Sequence, residues 1–110
     1  MATIGFLHTE PEHVQVFARL VAERAPWLVD IHLVDETLLA DIRRGLDDDV
    51  RARLGARLGE LIGRAVDAVV CTCAVLGDEA VRVTERAGVP VFSPEQLASP
   101  MSRDVLAALR

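Results

Sequence analysis

Asp67-Ala68-Val69-Val70-Cys71-Thr72, followed at once by Cys73-Ala74-Val75-Leu76-Gly77, is the stretch that decides the fold. The first six residues are a short, mostly apolar run of the kind that forms a buried strand. Residues 73–77 then lead into a helix expected over about Asp78 to Ala87. A strand passing directly into a helix is one βα unit, and the rest of the chain can be read against it.

Upstream, Thr3 to Leu7 is a second short apolar run, closed by the polar residues His8-Thr9-Glu10-Pro11, and it predicts the first strand with His8 just beyond it. Val14, Phe17, Ala18 and Val21 then recur at helical spacing over Glu12 to Ala25, and Pro26 stops that helix. Trp27 to Val34 suits a pleated strand running into Asp35-Glu36. Thr37 to Arg44 predicts a short helix halted at Gly45. Asp47-Asp48-Asp49 supplies a cap for a longer helix with the stripe Val50, Leu54, Leu58, Leu61 and Ala65.

Gly55, Gly59 and Gly63 recur every fourth residue on that helix, which suggests close packing on the sheet or on a partner subunit, the alternative being surface glycines. Downstream, Gly88-Val89-Pro90-Val91-Phe92 predicts a fourth short strand, and Pro94 to Arg110 a terminal helix.

Strands alternating with helices call for right-handed crossovers and parallel pairing. The expectation is a single α/β domain over residues 1–110, a doubly wound, flavodoxin-like, four-stranded parallel sheet with helices on both faces. Its carboxyl edge gathers His8-Thr9, Asp35-Glu36, Cys73-Ala74 and Ser93, where ligands of such sheets bind.

Bulk properties narrow the function classes. The 110 residues are 51% hydrophobic and 26% charged, enough to build a core and remain soluble. The net charge of −5, with 12 basic residues that are all arginine, argues against general nucleic-acid binding. The N-terminus lacks the pattern of a secretory signal and no run approaches a membrane span, so a cytoplasmic protein is expected, with no membrane partner. Two cysteines one residue apart form no disulfide framework. His8, His13 and His32 have no spacing that completes a zinc set with them, so no metal is expected. No Gly-x-Gly-x-x-Gly after a strand, no Walker lysine loop and no phosphatase loop with its arginine are present.

The remaining candidates sit at the sheet edge. Cys73, between a strand and a helix, has the backbone N–H groups and positive helix end that stabilise a thiolate, whereas Cys71 on the same side lies deeper. Either thiol can equally be a small buried hydrophobe. His8 could carry protons to Cys73 or lower its pKa as a cation, or be a solvated loop residue. Asp35 and Glu36 could bind a cation or keep out carboxylates, and acids at a helix start also serve structure alone.

Leu7-His8-Thr9, His32-Leu33-Val34-Asp35-Glu36-Thr37-Leu38-Leu39, Cys71-Thr72-Cys73-Ala74-Val75-Leu76-Gly77 and Val89-Pro90-Val91-Phe92-Ser93-Pro94-Glu95 together resemble the aspartate/glutamate racemase superfamily. Its bacterial members read roughly LHT, HLVDESLL, VTCSSLG and VPVLRIDE at these places. The resemblance spans nearly the whole chain.

It implies a cofactor-independent racemase or isomerase acting beside a carboxylate or carbonyl of a small metabolite, with a decarboxylase or other lyase as a variant. Cys73 matches the cysteine of the family's first half. The family pairs two such domains with one cysteine from each, so a homodimer would supply the second thiol. His8 would support Cys73, and Thr9, Thr72, Ala74, Val75 and Ser93 would line the substrate, although Ala74 and Val75 stand where the family has hydroxyls. Two other classes stay open: a non-catalytic small-anion-binding or regulatory half-domain, and a protein using its cysteine as nucleophile or redox sensor.

Overall fold

A computed structural model describes residues 2–85 and 87–92. Four strands, β1 (Thr3–His8), β2 (Val29–Val34), β3 (Ala68–Cys71) and β4 (Val91–Phe92), alternate with helices α1 (Glu12–Arg24), α2 (Glu36–Ile42), α3 (Asp48–Gly63) and α4 (Ala74–Glu85). All pairings are parallel and the sheet order is β2-β1-β3-β4, the doubly wound, flavodoxin-like arrangement. The predicted terminal helix and Ser93 lie outside the described residues.

Strand alternation sends side chains to two separate cores. On one face Ile4, Phe6, Ala68 and Val70 meet Val21, Phe17 and Leu20 of α1. On the other, Leu7, Val69 and Cys71 meet Leu38 of α2, the α3 stripe Val50, Leu54, Leu58 and Leu61, and Leu76 and Ala80 of α4. Fully burying each such leucine or valine contributes about 1.5–3 kcal/mol.

Gly5 shows how closely α3 approaches β1. A Cβ at that position would lie 3.0 Å from Leu61 Cδ2 and 3.1 Å from Val66 Cγ1, so glycine lets the end of α3 seat directly on the strand. Gly45 adopts φ 121°, the conformation that releases the chain after α2.

Several local expectations are corrected. His8 is the last residue of β1 rather than a loop residue, because its carbonyl accepts Asp35 N–H at 2.9 Å and extends the pairing with β2. β2 begins at Val29, since Leu28 N–H is used in a turn to Ala25 O. α4 begins at Ala74 instead of Asp78, with Leu76 N–H bonded to Cys73 O and Gly77 inside the helix.

Ala65 does not extend the α3 stripe; it lies beyond the helix with φ 58° and is exposed. Gly55, Gly59 and Gly63 do not press on the sheet, because a Cβ at each would meet nothing within 4 Å. Among the described residues, no helix is long and apolar enough to cross a membrane.

Candidate functional site

Three neighbouring strands bring polar side chains together at the carboxyl edge of the α1 face. β1 contributes His8, β2 contributes Asp30 and His32, and Thr72 follows β3. The register explains the meeting: His32 lies opposite Phe6 and Val34 opposite His8, so His32 reaches His8 as a diagonal neighbour. Thr72 is held beside β1 by its N–H bond to Leu7 O at 3.1 Å.

The four side chains form one continuous string. Thr72 Oγ1 is 2.9 Å from His8 Nδ1, His8 Nε2 is 2.8 Å from His32 Nδ1, and His32 Nε2 is 2.6 Å from Asp30 Oδ2. The two imidazoles are 11° from parallel with centroids 5.1 Å apart. With nitrogens 2.8 Å apart, that separation means the rings meet edge to edge, so the lone pair of one points along the N–H of the other.

Aromatic side chains enclose the string. Phe6 lies nearly parallel to both rings, at 5.7 Å from His8 and 4.8 Å from His32. Phe17 tilts over His8 at 5.8 Å, and His13 of α1 meets it edge-on at 6.3 Å. His8 is 0% exposed.

Burial first, and then the neighbouring His32 and His13, lower the His8 pKa to about 4. The ring is therefore neutral at physiological pH, which removes the option that it acts as a cation on a thiol. Its burial is tolerated because both nitrogens have hydrogen-bond partners.

Cys73 and Cys71 belong to the opposite face. Cys71 is part of the α3/α4 core, and half-buried Cys73 packs against that core directly before α4. Burial pushes the Cys71 thiol up to about 11, so it stays protonated, and it points toward Cys73 O at 3.7 Å. Thr72 lies between the two cysteines in sequence and on the other side of the strand. Among the described residues no hydrogen bond joins His8 to Cys73; the link between them runs through Thr72.

Of the other sequence candidates, Thr9 is buried in the turn after β1, and Ala74 and Val75 open α4. Asp35 takes the structural role. It caps α2 by accepting Thr37 N–H at 3.0 Å and lies 4.0 Å from Arg53, which also bonds Asp41 and Thr37. No group of three or more His, Cys, Asp or Glu suited to a metal ion occurs among the described residues.

Asp30 and His32 are the residues that sequence reasoning missed as site members. The signal was available in the strand Val29-Asp30-Ile31-His32-Leu33, whose even positions are polar and whose odd positions are apolar. Placing that polar face beside His8 required the parallel register, which strand patterns do not supply.

Comparisons with protein-family models, curated proteins and solved structures found no match.

Proposed function

We propose that the chain is a cofactor-independent, cytoplasmic isomerase of the racemase type. It moves a proton at the carbon beside a carboxylate or carbonyl of a small metabolite, with Cys73 as acid and base and His8 in support. The observation that carries this reading is the hydrogen-bonded string Thr72–His8–His32–Asp30, whose mouth adjoins Cys73 in sequence at the carboxyl edge of the sheet.

Four connected polar groups in an aromatic slot add little stability that apolar residues of the same volume would not. Moving protons is a use that suits them. Cys73 directly precedes α4, whose positive end favours a thiolate and suits a substrate carboxylate. The four segments resembling the racemase superfamily support the same assignment. His8, held neutral, supports the reaction by accepting and passing protons rather than by lending charge.

Inversion at carbon needs a proton carrier on each side of the substrate. A second copy related by a two-fold axis would bring another Cys73 to a shared cleft. The test follows the α-proton signal of 2-amino and 2-hydroxy carboxylates in D₂O by proton NMR, with sedimentation of the active species alongside.

Exchange with one substrate, slowed about 10²-fold or more in Cys73→Ala, is the expected result. Exchange that survives in Cys73→Ala would remove Cys73 from the mechanism. Binding of a carboxylate with no exchange would replace turnover by a non-catalytic pocket.

A further inference from the structure

The direction of the hydrogen bonds in the string follows from its inner end. An ionised Asp30 carboxylate only accepts, so His32 Nε2 carries a proton and His32 Nδ1 is the acceptor. His8 Nε2 must then donate to His32 Nδ1, which leaves His8 Nδ1 as an acceptor for the Thr72 hydroxyl. One carboxylate thereby sets two tautomers and the orientation of a hydroxyl three residues away along the string.

Thr72 Oγ1 has a second acceptor, the Leu7 carbonyl at 3.2 Å. That alternative lets the string reverse. When a proton arrives at Thr72 Oγ1, the original hydroxyl proton passes to His8 Nδ1 and the His8 Nε2 proton passes to His32 Nδ1. The new Thr72 proton turns to Leu7 O.

Proton balance is simple: one enters at Thr72 and one is gained by His32. The resulting imidazolium lies beside Asp30 Oδ2, with charge-assisted bonding at 2.6 Å. His8 ends neutral, with its proton moved from Nε2 to Nδ1. Return of the proton retraces the path.

We propose that Thr72, His8 and His32 form a proton relay between the mouth of the sheet and the Asp30–His32 pair, with Asp30 and His32 as the positioning residues that set its direction. The proposal rests on the proton-transfer function above for the source of the proton. It supplies what a single half-domain lacks, a proton store other than a second cysteine. The groups facing His8 are His32 from β2, Thr72 after β3 and His13 from α1, with Glu10 in turn 3.4 Å from His13. The polar groups on the relay axis itself are Thr72, His32 and Asp30.

The test reads the ring nitrogens directly, by long-range ¹H–¹⁵N NMR on the full chain near neutral pH. Both His8 and His32 are expected as the Nε2–H tautomer. Asp30→Asn, which can donate to His32 Nε2, is expected to turn His8 toward Nδ1–H. A wild-type His8 with its proton on Nδ1, or a His8 tautomer that ignores Asp30→Asn in a folded variant, overturns the proposal.

Exchange kinetics give the second arm. Thr72→Val is expected to slow α-proton exchange about 10²-fold and Thr72→Ser to restore it. Asp30→Asn is expected to slow it about tenfold, because the amide no longer holds His32 with its acceptor nitrogen toward His8. An unchanged rate in Thr72→Val overturns the relay. A protein with no exchange activity fails the functional reading instead, while the tautomer pattern and its response to Asp30→Asn still decide the relay.

Discussion

Lowering pH toward 4 is predicted to destabilise the fold through one residue, His8. Its folded pKa lies at about 4, against 6.5 for a free imidazole side chain, lowered by burial and by the neighbouring His32 and His13. The unfolded chain therefore binds this proton more strongly, and the stability that His8 contributes is complete above 6.5 and lost as pH falls through the folded value. The full difference corresponds to about 3 kcal/mol, of which about 2 kcal/mol disappears between pH 7 and pH 4.5.

Other groups titrate in the same interval, so the assay compares two proteins. Urea unfolding followed by circular dichroism at each pH gives the stability of the wild type and of His8→Asn, whose side-chain oxygen can still accept from Thr72. The wild type should lose about 2 kcal/mol more than the variant across that interval. Equal losses would refute the claim that His8 is held neutral by its surroundings.

Three further outcomes test the packing and the thiols. Gly59→Ala is expected to stabilise the protein by about 0.5–1 kcal/mol in urea, because the new Cβ meets nothing and the helix gains a better former. Asp47→Ala is expected to cost about 1 kcal/mol in the same assay, since Asp47 Oδ1 accepts Val50 N–H at 2.9 Å at the start of α3. Cys71, with its thiol pushed up to about 11, should resist iodoacetamide near pH 8 in the folded protein and react in urea, as peptide mapping by mass spectrometry would show.

The order of strands and helices was legible because each strand is a short apolar run and each long helix repeats its apolar residues at 3.6-residue spacing. α3 shows this best, since Val50, Leu54, Leu58 and Leu61 read as a stripe and are all buried. Boundaries were less legible where tertiary bonds extend an element past its polar or glycine signals. His8 belongs to β1 because of Asp35 on the neighbouring strand's exit, and Gly77 lies in α4 because the helix starts on Cys73 O. For the site, His8 and Thr72 were visible as edge residues, whereas Asp30 and His32 gain meaning only when β2 is laid beside β1 in register.

That register also sets how the two faces of the sheet can cooperate. Cys71 and Cys73 pack toward α3 and α4, while His8 and His32 pack on Phe6 and His8 on Phe17 of α1, so the sheet lies between the thiols and the imidazoles. Strand alternation makes Thr72 the residue that belongs to the imidazole face while sharing peptide bonds with both cysteines. Its hydroxyl has one acceptor in the relay and one in the β1 backbone, and β3 has ended before it, so the separation is crossed at the mouth rather than through the core. The position of the strand end is therefore as much a part of the proposed proton path as the side chains are.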